Sequence, residues 1–160
     1  MLVSLFAAAA ASVTTVAAQA VATPPARDFS TATAMAGSWT FQTLPGASEA
    51  RFVDTGGIAR LVIRCTKASR QVSFSPTHAA GAASIFVWTS SASRNVPVRF
   101  EANAMRVTAD FSAFDPLLDA IAFSRGRVAV TIAGGSALVV PALVMPSGPE
   151  AARTIEDCRI

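Results

Sequence analysis

Two cysteines, Cys65 and Cys158, constrain what this chain can fold into more than any other feature. They lie 93 positions apart, and only one intramolecular pairing exists. That bridge would close most of the chain into one loop, worth roughly 4 to 5 kcal/mol through the entropy it removes from the unfolded state. The alternatives are two buried free thiols or a redox-active pair. Redox pairs are usually close in sequence, as in Cys-x-x-Cys, so the spacing favours a structural bridge. Such a bridge needs an oxidising compartment.

The first residues point to one. After Met1-Leu2-Val3-Ser4-Leu5-Phe6 an alanine-rich apolar run extends to about Ala18 and ends in Ala18-Gln19-Ala20, with a second small-x-small option at Ala20-Val21-Ala22. A short apolar core followed by small residues is a secretory signal. No Lys or Arg precedes the run. The rival reading is an uncleaved anchor, but a spanning helix wants roughly 20 strongly apolar residues, and Ser12, Thr14, Thr15 and Gln19 dilute this one. No cysteine lies near the cleavage site, which argues against a lipoprotein. The expected organisation is a signal peptide at 1–20, a flexible Ala/Thr/Pro-rich leader at 21–36 and one β-rich domain at 37–160. The expected location is periplasmic or secreted, with no stable membrane insertion after cleavage.

The formal charge of +3, from 13 basic and 10 acidic residues, is spread along the chain. It forms no nucleic-acid patch.

Alternation of apolar and polar residues predicts the strands. Gly37 to Gln42 is the first, ended by Leu44-Pro45-Gly46. Ala50–Val53 and Ile58–Cys65 flank Asp54-Thr55-Gly56-Gly57 as a hairpin, the glycines supplying positive φ. In its second arm Leu61, Ile63 and Cys65 face inward, opposite Arg60, Val62 and Arg64. Val72 and Phe74 continue that face, Ile85 to Thr89 suits a central strand, and Met105 to Thr108 forms another. Val96, Val98 and Phe100 share a strand that Pro97, lacking an N–H, confines to an edge. A helix is expected over Asp115 to Ser124, capped by Asp115, started by Pro116 and ended by Gly126, with Phe114, Leu117, Leu118 and Ile121 inward and Asp119 opposite. Arg127–Ile132, Gly134-Gly135 and Ala137–Val140 read as a second hairpin, and Ser147-Gly148-Pro149-Glu150 opens a closing helix that delivers Cys158. The sum is a mainly β protein: a β-sandwich of seven or eight short strands with two short helices and one disulfide.

Ile63-Arg64-Cys65, Ser124-Arg125-Gly126-Arg127 and the ending Glu156-Asp157-Cys158-Arg159 together resemble a group of uncharacterised exported proteobacterial proteins over roughly residues 37 to 160. The strand ending in Arg-Cys with a late cysteine is similar, more loosely, to the VasI/TagO-like accessory proteins of type VI secretion. Neither resemblance implies catalytic residues.

Candidate chemistry is sparse. The single histidine, His78, would need a nucleophile and an orienting acid to act as a base, and a lone loop histidine is usually a solvated one. Asp110, Asp115 and Asp119 form the densest carboxylate group, but lack the alternating ligands of a calcium loop, and Asp115 has a capping role. Trp39, Phe86 and Trp88 would serve as a sugar platform if exposed and as core if not. The glycine pairs are turns, lacking the strand–loop–helix setting of nucleotide sites. Arg125 and Arg127, flanking Gly126, are the best ligand-binding candidates, since two guanidinium groups can grip a carboxylate or phosphate bidentately. The simpler reading is that they complement a helix C-terminus or pair with Glu156 or Asp157. The sequence points to no cofactor and no metal. The expected function is a non-enzymatic envelope protein that binds an envelope protein partner or an anionic ligand. A small envelope hydrolase using His78 or the aspartates, and a carbohydrate-binding module, are the alternatives.

Overall fold

Pro45 cannot continue a strand ladder and Gly46 takes a positive φ of 67°, so the chain folds back on itself there. The result is a hairpin of β1 (Gly37–Leu44) and β2 (Ala47–Asp54), in which Leu44 faces Ala47. The computed structural model describes residues 28–77, 82–104, 106–133 and 142–160. The signal-like run, His78 and the second glycine pair with its expected arm Ala137–Val140 lie outside the described residues.

The next turn is held by Asp54, whose Oδ1 accepts from the amides of Gly56 and Ile58 at 2.9 Å each. Of the two glycines expected to share the positive φ, only Gly57 has it, at 80°. β3 (Ala59–Thr66) follows, then β4 (Gln71–Pro76). β8 (Arg106–Ser112) pairs with β4, and β7 (Arg99–Glu101) closes the six-stranded antiparallel sheet in the order β1-β2-β3-β4-β8-β7. A second, four-stranded sheet runs β10-β9-β5-β6, built from β5 (Ser84–Trp88), β6 (Ser93–Pro97), β9 (Arg127–Ala133) and β10 (Leu143–Pro146).

The single edge strand expected around Pro97 is two strands. β6 ends at Pro97 on the edge of the second sheet, and after Val98 the chain crosses to form β7 on the edge of the first. Both are edge strands; for β6 the missing N–H of Pro97 leaves no donor for a further strand at that position.

One core joins the sheets. Phe52, Leu61, Ile63, Val72 and Phe74 of the first sheet pack in one buried cluster with Ile85, Val87 and Val130 of the second. α1 (Pro116–Ala122) adds Leu117, Leu118 and Ile121, and α2 (Pro149–Glu156) adds Ile155. The architecture is thus mainly β, with ten strands in two antiparallel sheets among the described residues, two helices and one bridge. Val62, expected on the outer face of β3, is buried all the same, at 3% exposure between Arg51 and Ser75 in register.

Asp115 caps α1 as expected, accepting from the Leu117 amide at 2.8 Å, with Pro116 in the first turn. Two details differ. The helix ends at Ala122 with Phe123 as C-cap, so Gly126 (φ 82°) turns the following link and does not terminate the helix. Phe114 precedes the cap and points out, 61% exposed, beneath the guanidinium of Arg159 at 6.0 Å.

α2 packs across β1, β2 and β3 and against α1. It brings Cys158 to Cys65 at the end of β3, with a Cα separation of 5.4 Å and both sulfurs' residues fully buried. The bridge ties the chain's last helix to the core sheet.

The stretch expected as flexible leader is packed from Phe29 onward. Phe29 is buried (8% exposed) with Ala129 and Val144 on the outer face of the second sheet, where Ala32, Ala34, Phe86 and Trp88 join them. Main-chain bonding confirms the docking: the Met35 amide donates to the Val144 carbonyl at 2.7 Å. The aromatic residue among the small ones explains the difference, because it can bury area that Ala, Thr and Ser cannot. Residues 28–35 are called the strap below.

Candidate functional site

Three chain segments far apart in sequence meet at one end of the strapped sheet and enclose an open cleft of about 640 Å³. One is the start of the strap, Asp28 and Ser30. The second is the β5–β6 turn, whose wall runs from Trp88 to Ser93. The third is the α1–β9 link, which contributes Arg125 and Arg127.

The β5–β6 turn is organised by Thr89, buried at 2% exposure. Its amide donates to the Ala92 carbonyl at 2.9 Å and its hydroxyl donates to the same carbonyl at 2.7 Å. The hydroxyl oxygen in turn accepts from the Ala92 amide at 3.0 Å. The turn is thereby fixed from within, which leaves Ser91 and Ser93 exposed along the cleft.

Ser124 and Ser90 clamp the turn to the link reciprocally. The Ser90 amide donates to Ser124 Oγ at 3.1 Å, and the Arg125 amide donates to Ser90 Oγ at 2.7 Å. Ser124 Oγ also donates to the Arg127 carbonyl at 2.5 Å. Gly126, in the left-handed region, lets the chain turn into β9, and its carbonyl accepts from the Ser147 amide at 3.2 Å. Each residue of Ser124-Arg125-Gly126-Arg127 therefore has a backbone or side-chain job in shaping this corner.

The two arginine side chains differ. Arg127 donates through one terminal nitrogen to the Ala32 carbonyl, and so holds the strap. Arg125 is exposed. Among the described residues, six arginines make ion pairs: Arg51, Arg60, Arg64, Arg94, Arg99 and Arg159. Arg125 and Arg127 are not among them, nor does either pair with Glu156 or Asp157. Glu156 is taken by Arg159. The remaining charge in the cleft is Asp28. The Ser30 amide and then the Ser30 hydroxyl, at 2.8 and 2.9 Å, hold its carboxyl below the ordinary 3.8, so it is ionised at neutral pH.

The other candidates disperse. Asp115 caps α1 and accepts Arg94 bidentately at 3.0 and 2.8 Å. Asp110 pairs with Arg99, and Asp119 with Arg159. No group of three metal-ligating side chains converges among the described residues. The three aromatics do not form one platform. Trp39 is half-buried on Phe52, at 5.6 Å between ring centroids, and its indole nitrogen donates to the Pro146 carbonyl at 2.7 Å. Phe86 and Trp88 lie beneath the strap, with Phe29 edge-on to Trp88 at 6.0 Å.

The cleft brings Arg125 and Arg127, which the sequence singles out, together with Asp28, Ser30 and the serines of the β5–β6 turn, which it does not. Nothing in the run Thr89-Ser90-Ser91-Ala92-Ser93 signals that Ser90 reaches Ser124. Comparison with protein-family models, with curated proteins and with solved structures gives no match.

Proposed function

We propose that this chain is an exported, non-enzymatic envelope protein that holds an anionic ligand in the cleft between the strap, the β5–β6 turn and the α1–β9 link. One observation carries the reading: two arginines without carboxylate partners among the described residues line one cleft of ligand-binding size. An unneutralised guanidinium beside donors fixed by a rigid turn is suited to a carboxylate or phosphate, which it grips through two parallel N–H donors. Export is supported by the apolar leader ending in Ala18-Gln19-Ala20 and by a disulfide of the kind oxidising compartments maintain.

The test is an NMR titration with acetate and inorganic phosphate, followed at the amides of Ser90, Ser91, Arg125 and Gly126. Saturable shifts at these amides are expected. Arg125→Ala should weaken them about tenfold or more, the value of one charge-assisted bond pair, with the melting temperature unchanged. Arg127→Ala should add to that loss and also loosen the strap. A titration that Arg125→Ala leaves untouched would refute the reading.

A further inference from the structure

We propose that the anion this cleft accepts is an acidic sugar, a pyranose ring carrying a carboxylate. The inference rests on the anion-binding reading above and narrows it.

The lining favours an anion that also carries hydroxyls over a bare inorganic one. Phosphate and sulfate offer acceptors, so they need donors on every side. The ionised carboxylate of Asp28 lines the same cleft as the arginines, and it weakens the hold on an anion that brings no donors. A ligand that brings hydroxyl donors as well as a negative charge satisfies both signs at once. Its carboxylate would meet Arg125, and its hydroxyls would donate to Asp28.

The hydroxyl-bearing wall fits the same ligand. Ser91 and Ser93 are exposed, and their hydroxyls make no hydrogen bond among the described residues. Ser90 Oγ accepts from the Arg125 amide, which leaves its own proton to donate. Each hydroxyl both gives and takes a bond, as sugar hydroxyls do.

Trp88 supplies the apolar surface. It lines the cleft, half-buried, with Phe29 packed edge-on at an interplanar angle of 69°. Trp88 is thus braced by the strap yet still partly exposed where it lines the cleft, and an aromatic surface of this kind receives the C–H face of a pyranose. The cleft volume of about 640 Å³ is far larger than a simple anion needs and lies within the range for small organic ligands.

The probes are D-glucuronate, D-glucose and acetate, added separately to the disulfide-bonded protein and read at the cleft amides and at the Trp88 indole N–H. Glucuronate should bind about tenfold more tightly than either acetate or glucose, since it alone engages both the guanidinium and the hydroxyl wall. The exposed pair Ser91→Ala/Ser93→Ala should erase its advantage over acetate while leaving acetate binding intact. Arg125→Ala should erase its advantage over glucose. Equal affinity for glucuronate and acetate would overturn the sugar inference and leave the anion reading standing. No shift with either anion would overturn both. Tighter binding of inorganic phosphate than of glucuronate would overturn the sugar inference alone.

Discussion

Phe29→Ala should detach the strap without unfolding the domain. Phe29 is the strap's one large fully buried side chain; Ala32 and Ala34 pack beside it on the second sheet, and Met35 packs, partly buried, against the main core. Its burial is worth roughly 1.5 to 3 kcal/mol, and the edge-on pair with Trp88 adds about 0.5 to 1.5 kcal/mol. The Met35–Val144 bond and the Arg127–Ala32 bond each add about 1 kcal/mol. Phe29 thus contributes more to docking than the two hydrogen bonds together, and losing about 2 to 4.5 kcal/mol tips the strap open.

The fall in global stability is then capped at the strap's own opening free energy, because the mutant domain unfolds from a state already released. The melting temperature should drop by only a few degrees, where a loss of 4 kcal/mol felt by the whole fold would lower it by on the order of 10 °C. The indole N–H of Trp88 should move towards its solvent-exposed position and the Met35 amide should exchange freely. The indole of Trp39, bonded to Pro146, serves as the internal reference and should stay put. A drop of 10 °C or more with Trp88 and Met35 unchanged would refute the reasoning and place Phe29 in the cooperative core.

Replacing both cysteines by alanine should cost roughly 4 to 5 kcal/mol in urea unfolding and raise the denaturant slope, since the freed unfolded chain exposes more surface; a loss under about 1 kcal/mol would contradict the loop-closure account. Asp115→Ala should cost about 1 to 2 kcal/mol through the lost cap, whereas Asp115→Asn, which retains a cap oxygen and forfeits the Arg94 pair, should cost about half a kcal/mol; equal losses would assign the effect to the ion pair. The Asp54 carboxyl is held below its ordinary 3.8 by the Ile58 amide first and then by Arg60. Its contribution is complete above 3.8 and is lost as pH falls through the lower folded value, so the wild type should lose more stability on acidification than Asp54→Asn, which lacks this group. Parallel acid profiles would remove Asp54 as the cause.

Much of the fold is legible in the sequence because local chemistry decides it. Pro45-Gly46 and Asp54 to Gly57 set their turns through φ preferences and one carboxylate acting on its own neighbours, and Asp115-Pro116 starts a helix the same way. Cys65 was placed inward by the period of two along β3, and Cys158 by the helix that precedes it. What escaped depends on long-range contact. The chain's crossing between sheets at Val98 leaves no break in the alternation of Val96, Val98 and Phe100. The strap lacks any apolar period, so one phenylalanine among small residues was not enough to separate it from a leader. Phe114 matched helical spacing but precedes the cap, outside the helix whose face it was assigned to. Arg125 and Arg127 stood out as a short motif, but their surroundings come from residues about 35 and 95 positions away.

Those distant surroundings give the cleft a property that neither arginine has alone. Its walls are of unequal firmness. The β5–β6 turn and the α1–β9 link are locked to each other by Ser90 and Ser124, and both grow from strands of the second sheet. The strap wall, carrying Asp28 and Ser30, is held by Phe29 and by the Arg127 guanidinium. A ligand that contacts both kinds of wall binds only the docked state, and so must stabilise docking by as much as docking improves its affinity. A ligand that competes with the Ala32 carbonyl for Arg127 has the opposite effect and releases the strap. The sign of the change in Met35 exchange on adding ligand thus reports which partner Arg127 prefers, independently of affinity.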